Sequence, residues 1–194
     1  MFNWASFLTY VVATVSTPGP NTISSMSNAS RLGLRRALPY NFGIWLGFSV
    51  VSSACAVFCS TLSAFLPKLR FPMLIVGALY MLRLAWKTWR SDGSIAERDA
   101  RGGFLAGLTL QFVNPKIYLY CIMSMEAYIL PYCQGQWGRL LLFALLLAFI
   151  GFLFTLLWAV FGSVFRLLFS RYARITNTVM ALLLVYCAVS LFFT

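Results

Sequence analysis

The sequence predicts an all-α integral membrane protein: six transmembrane helices forming two inverted three-helix repeats, with helices 1 and 4 interrupted. Three observations carry this. The 194 residues are 61% hydrophobic and 10% charged, with mean hydropathy +0.83; a soluble domain is roughly 45–50% apolar and about 25% charged. Six apolar segments are long enough to cross a hydrocarbon core, which takes about 20 helical residues. Two of them are broken by Pro-containing tracts at corresponding places, Pro18 and Pro115, half a chain apart.

The segments run over about Trp4–Asn28, Leu38–Leu66, Phe71–Trp89, Phe104–Tyr132, Leu140–Phe165 and Ile175–Phe193. The first contains Thr17-Pro18-Gly19-Pro20-Asn21 and the fourth Phe112-Val113-Asn114-Pro115-Lys116. The polar stretch 91–102 holds three of the four acidic residues and reads as a linker between half-repeats 1–90 and 103–194. Everything belongs to one transmembrane domain, residues 1–194. The first segment lacks a basic stretch before it and a small-residue cleavage site after it, so it is expected to be retained as a helix.

Lys and Arg set the orientation. Arg31, Arg35 and Arg36 follow helix 1; Lys87, Arg90, Arg98 and Arg101 follow helix 3; Arg166, Arg171 and Arg174 follow helix 5. The other side carries Lys68, Arg70 and Arg139. Ten against three places the richer loops in the cytoplasm and both termini outside. Three helices per half then make the halves enter from opposite sides, the inverted-repeat condition. Beyond the broken helices, only Tyr80 and Tyr186 match between halves. The net charge of +11 belongs to this bias, with no basic face left for nucleic acid.

In the first tract Pro18 and Pro20 lack N–H donors and clash with carbonyls one turn back, while Gly19 permits unusual backbone shapes. The helix is expected to open, freeing carbonyls near residues 14–16, which are tolerated at membrane depth only beside protein or a wet cavity. A new helix starting near Asn21 would aim N–H groups at the gap and attract a carboxylate. Asn21 adds an amide able to meet either pole of a zwitterion. The alternative is a packing kink.

Asn114-Pro115 repeats this logic, and Lys116 follows at once. A Lys at the bilayer centre costs about 2.5–3.5 kcal/mol on insertion scales. Lys116 lies about 18 Å of helix from its segment's start, beyond easy snorkelling, so it is expected to face a cavity or an anionic group. Glu126 is the one carboxylate in an apolar segment. It would either carry a coupling proton or meet an ammonium, or else sit exposed near the outer end of helix 4. Arg83 is expected to snorkel.

Gly43 with Gly47, and Gly103 with Gly107, have the spacing that lets helix backbones approach. Trp45 and Trp158 are central enough to wall a pocket. Cys55, Cys59, Cys121, Cys133 and Cys187 fit no metal or redox pattern and read as packing residues. With no His, no phosphate loop and no paired carboxylates, no catalytic set, metal site or cofactor is expected.

Taken together, the Pro-Gly-Pro tract, Gly33, Gly43 and Gly47 resemble the signature of the LysE/RhtB family of amino-acid exporters. The Phe112–Lys116 run resembles its second motif, and Gly77-Ala78-Leu79-Tyr80 with Trp86-Lys87 its third-helix pattern. Leu110–Asn114 and Ala181–Val189 look closest to the cysteine/O-acetylserine exporter branch. The resemblance implies a multi-pass protein of the bacterial inner membrane, a homodimer, and a small zwitterionic substrate. It places Pro18, Gly19, Pro20, Asn21, Asn114, Pro115 and Lys116 around the path; Glu126 belongs to no family motif. The expected function is export of small amino acids or derivatives by alternating access. The alternatives are a metal or inorganic-ion exporter, which one membrane carboxylate and no His disfavour, a non-transporting scaffold, and an intramembrane redox enzyme.

Overall fold

The computed structural model describes residues 2–90, 103–133, 135–165 and 173–190, with backbone alone at 59–70, 73, 77, 87, 173, 176 and 190. The described residues form eight α-helices and one π turn. Helix α1, Trp4–Ser16, begins where Asn3 Oδ1 accepts the Ser6 N–H at 3.1 Å. It stops at Thr17, which is extended (φ −63°, ψ 137°), as a residue before proline must usually be. Helix α2, Pro20–Leu32, restarts with proline at its first position, where the missing N–H costs nothing. Helix α3 spans Leu34–Trp89.

The second half repeats the device. Helix α4, Gly103–Val113, ends at the extended residue Asn114, and α5, Pro115–Ser124, restarts on a proline. A π turn, Met125–Ile129, leads into the short α6, Leu130–Cys133. Pro131 explains the π turn: its ring would strike the carbonyl four residues back, and the widened turn clears it. Helices α7, Trp137–Val164, and α8, Ala173–Ser190, complete the chain.

Both expected interruptions are present. Leu34–Phe58 and Trp137–Val164 are each long and apolar enough to cross a membrane, and the half-helices α1/α2 and α4/α5 reach comparable lengths in pairs. Two expectations are corrected. The loop carrying Arg31, Arg35 and Arg36 shrinks to one residue, Gly33, whose φ of 78° and ψ of 159° are open to glycine alone. The expected break between helices 38–66 and 71–89 is displaced: two helices run within Leu34–Trp89 and meet at a kink at Phe58 (φ −112°, ψ 24°), so Lys68 and Arg70 lie on helical rather than loop backbone. The second helix doubles back on the first: Tyr80 packs on the cluster of Tyr40, Ile44 and Leu110, although forty residues of straight helix would span about 60 Å. The expected linker 91–102 lies outside the described residues, as do Arg166 and Arg171.

Burial is inverted relative to a soluble protein. Leu79, Leu105, Leu142, Leu157 and Leu182 are each at least 60% exposed, a surface suited to lipid. Inside lie Ser24, Ser25, Asn41, Ser52, Gln111 and Asn114, none more than 2% exposed. Helix α2 is the extreme case. It reads Pro-Asn-Thr-Ile-Ser-Ser-Met-Ser-Asn-Ala-Ser-Arg-Leu, yet nine of its thirteen residues are buried. Its hydroxyls bind neighbouring backbones or side chains. Tyr40 donates to Ser24 Oγ at 2.7 Å, and Ser25 donates to Asn41 Oδ1 and to the Thr155 carbonyl.

The paired glycines on α3 and α4 meet each other. A Cβ on Gly43 would overlap the Phe104 carbonyl, and one on Gly107 the Tyr40 carbonyl. Side-chain-free contact brings the two backbones together and seats α4, and with it the second break, against α3. Gly107→Leu is therefore expected to lose about 1–3 kcal/mol through forced separation. Gly138→Ala, where an added Cβ meets nothing within 4 Å, serves as the control, both read by thermal unfolding in detergent.

Candidate functional site

The two breaks lie side by side. Lys116, second residue of α5, reaches across to the end of α1, where its Nζ donates to Thr17 Oγ1 at 2.7 Å and to the Thr17 carbonyl at 3.1 Å. A Cβ on Gly19 would sit 3.1 Å from that Nζ. This alters the reason for the glycine. Gly19 has φ −166° and ψ −176°, an extended conformation open to any residue, so backbone shape does not require glycine here and an added methyl would instead press on the end of the Lys116 side chain.

Each break satisfies some of its own peptide groups. Ser16 Oγ donates to the Ala13 carbonyl at 3.1 Å and Thr17 Oγ1 to the Thr14 carbonyl at 2.7 Å. The expected open acceptors at 14–16 are thus partly taken. The carbonyl that faces the other break is that of Thr17. On the far side, the Gly19 N–H donates to Thr22 Oγ1 at 2.9 Å, and Thr22 Oγ1 donates back to the Gly19 carbonyl at 3.1 Å. Asn114 caps α5 by accepting the Lys116 N–H on its Oδ1 at 3.2 Å.

Three amides join the breaks. Asn21 Nδ2 donates to Gln111 Oε1 at 2.8 Å, Gln111 Nε2 to Asn21 Oδ1 at 3.2 Å, and Asn114 Nδ2 to the same Asn21 oxygen at 3.3 Å. Gln111 also donates to the Gly107 carbonyl at 2.9 Å, so it is fixed from the glycine seam.

Two adjoining cavities open at this junction. One, about 50 Å³, is lined by Thr17, Gly19, Pro20, Asn21, Asn114 and Lys116 together with Phe48, Tyr120, Gly151 and Thr155. The other, about 320 Å³, is lined by Tyr10, Thr14, Pro18, Pro115, Lys116, Leu119, Tyr120, Met123 and Cys187 among others, and falls at the lower end of small-molecule pockets. It lies on one side of the breaks, between α1 before its interruption and α5 after its own. The opposite side, between α2 and α4, is filled by the amide cluster and the Ser24–Tyr40 and Ser25–Asn41 bonds.

Every residue of the two tracts named from sequence, Pro18, Gly19, Pro20, Asn21, Asn114, Pro115 and Lys116, lines one or both cavities. Glu126 does not: it is exposed on the π turn. Trp45 is 38% exposed and stacks on Phe152 at 5.4 Å, and neither it nor Trp158 walls these cavities, so the expectation for them is corrected. Arg83 is exposed. Cys55, Cys121, Cys133 and Cys187 are buried, and the side chain of Cys59 lies outside the described residues. Tyr80 donates to the Ala106 carbonyl at 3.3 Å, whereas Tyr186 is 68% exposed, so the pair has no common environment. Gln111, Tyr10, Tyr120 and Thr155 were not anticipated. Gln111 carried a signal, a buried-depth amide in an apolar run; the tyrosines carried none, since aromatics are common throughout.

No solved structure matches this chain. A cysteine/O-acetylserine efflux protein of Salmonella choleraesuis is 39% identical over 193 residues, covering 97% of each chain. Proteins with the same description from Escherichia coli K12 (38% over 191 residues, 97% of each) and Klebsiella pneumoniae (39% over 187 residues, 95% of this chain and 94% of that one) are similarly close. The family model described as LysE type translocator matches residues 12–194. The chain belongs to the LysE family of translocators, membrane transporters rather than enzymes.

Proposed function

We propose that this protein exports small zwitterionic amino acids or their close derivatives, of the cysteine and O-acetylserine kind, from the cytoplasm across a bacterial inner membrane. The observation that carries this is the meeting of two half-helix N-termini, α2 and α5, with one lysine and a carbonyl at a shared cavity. Helix N-termini attract carboxylates. The Lys116–Thr17 bond joins a cation to an acceptor, the two partners a zwitterion needs. Substrate exchanges for that bond: its carboxylate takes Lys116 Nζ, and its ammonium takes the Thr17 carbonyl. The similarity to cysteine/O-acetylserine efflux proteins supports this reading.

The mechanism is alternating access between two inverted three-helix repeats. Its support is the repeated device of an extended cap followed by proline at the first helical position. Lys and Arg counting puts both termini outside, so the larger cavity, on the α1/α5 side, faces outward. The described arrangement is then outward-open, with the Asn21–Gln111–Asn114 amides as the inner seal. Turnover requires α2 and α4 to part there. Glu126, exposed on the π turn, belongs to the outer end of helix 4 and serves coupling only through a further rearrangement. A homodimer would bury part of the apolar exterior without entering this path.

Three outcomes follow. Lys116→Ala should slow efflux from preloaded vesicles at least tenfold at unchanged protein level, the worth of a charged hydrogen bond; wild-type rates in that variant would remove the lysine from the path. Gln111→Ala should loosen the inner seal, seen as faster amide hydrogen exchange across α2 while α7 is unaffected. A fluorescent protein fused after Thr194 should be dark if the C-terminus is periplasmic and bright if the orientation is reversed.

A further inference from the structure

Tyr120 lines both cavities. It is 3% exposed, and its hydroxyl has no hydrogen-bond partner. Most buried polar groups are satisfied within the protein or by what they bind, so this donor stands out from its surroundings. The other described groups at the junction are engaged: Thr17 and Lys116 with each other, Thr22 with Gly19, Asn21 and Asn114 through the amide cluster, and Thr155 Oγ1 with the Phe152 carbonyl at 2.8 Å. The ring is held on two sides, stacked against Tyr10 at 6.4 Å and edge-on to Phe48 at 5.8 Å. The ring, and with it the buried hydroxyl, is therefore held in a fixed position in the wall between the two cavities.

We propose that the Tyr120 hydroxyl reads the substrate's side chain. It donates a hydrogen bond to an acceptor on that chain, and so selects small amino acids bearing a hydroxyl, thiol or ester oxygen over apolar ones of equal size. This rests on the reading above that the amino-acid head group sits at Lys116 and Thr17. Tyr120 lies one helical turn beyond Lys116 on α5, about 6 Å along the axis. A side chain of a few heavy atoms spans that distance when the head group is held at the break. Tyr10 and Met123, in the same cavity wall, supply the apolar and polarizable surroundings that a short ester or thiol tolerates.

The role is one of specificity. Removing a hydroxyl that no protein group bonds should leave the fold intact or slightly firmer, because an apolar replacement suits an unpartnered buried position. Ser124 provides the control. Its hydroxyl is likewise buried and unpartnered, one turn further along α5, but it is not among the residues lining either cavity.

The test is efflux from proteoliposomes of two size-matched pairs, cysteine with 2-aminobutyrate and O-acetylserine with 2-amino-5-methylhexanoate. The readout is the ratio of transport efficiencies within each pair. Tyr120→Phe should lower both ratios about fivefold, one neutral hydrogen bond's worth, mainly through the apparent KM of the acceptor-bearing member. Ser124→Ala should leave the ratios within twofold of wild type. Tyr120→Phe ratios within twofold of wild type would overturn the assignment. So would a lower melting temperature in that variant, since the hydroxyl would then have a structural bond, or a folded variant that moves neither member of a pair. If the wild-type protein itself moves none of the four, the exporter reading fails first and takes this one with it.

Discussion

At the depth of a bilayer, a peptide group released from a helix has no water to turn to, and each bare N–H or C=O costs several kcal/mol. That constraint organises this molecule. Two helices are broken near their middles, and nearby side chains take up many of the groups that breaking frees. Ser16 and Thr17 bind carbonyls of the turn they end, Thr22 receives the Gly19 N–H, and Asn114 receives the N–H of Lys116. Proline at the first position of each restarted helix removes one orphan donor at the source. The Thr17 carbonyl and the Lys116 ammonium lie beyond this local repair, and each serves as the other's partner across the gap.

The same constraint explains why polar residues collect inside. Helix α2 could not survive as a lipid-facing segment, with four serines and two asparagines in thirteen residues. Enclosed between α3 and α7, its hydroxyls find carbonyls and amides within reach, through Ser25 to Thr155 and through Tyr40 to Ser24. Interhelical hydrogen bonds in membranes are worth only about 0.6 kcal/mol on average. Such contacts position a helix without locking it, as the proposed alternating access would require of α2. The Gly43–Gly107 seam is the opposite kind of contact. It depends on backbone fit, which any added methyl destroys, and it keeps α3 and α4 in one register.

What was legible in the sequence followed from strong local rules. Pro18 and Pro20 flanking a glycine, and Pro115 after an asparagine, are strong helix-breaking signals in an apolar run, and Gly43/Gly47 and Gly103/Gly107 have a spacing with one common use. Both features are present in the structure, and the two tracts adjoin across half a chain. What was not legible depended on orientation in space. Trp45 and Trp158 were central by count but turn away from the cavities, because depth along a helix does not fix which side a residue faces. Gly19 was assigned to backbone freedom, yet its neighbour Lys116 comes from ninety-seven positions away. The loop expected after helix 1 vanished because a single glycine at positive φ makes the turn that three arginines were thought to occupy. The run Ile23-Ser24-Ser25-Met26-Ser27 did carry a warning, for its polarity fits no lipid-exposed span.

The Lys116–Thr17 bond also bears on why a transporter would place a lysine where insertion is costly. A buried ammonium without partners would be driven to lose its proton or to escape toward the surface. Two neutral oxygens hold Lys116 in place but leave its charge uncancelled, since neither Thr17 atom is anionic. On the function proposed above, an arriving carboxylate would supply what they lack, and the bond it replaces is modest. Had the partner been an aspartate, the ion pair in this low-dielectric setting would cost far more to separate than a neutral contact, and a ligand would compete with it poorly. On that proposal a weak internal stand-in would keep the site both intact when empty and available when substrate comes, and the absence of any acidic residue from the two tracts is the condition for that.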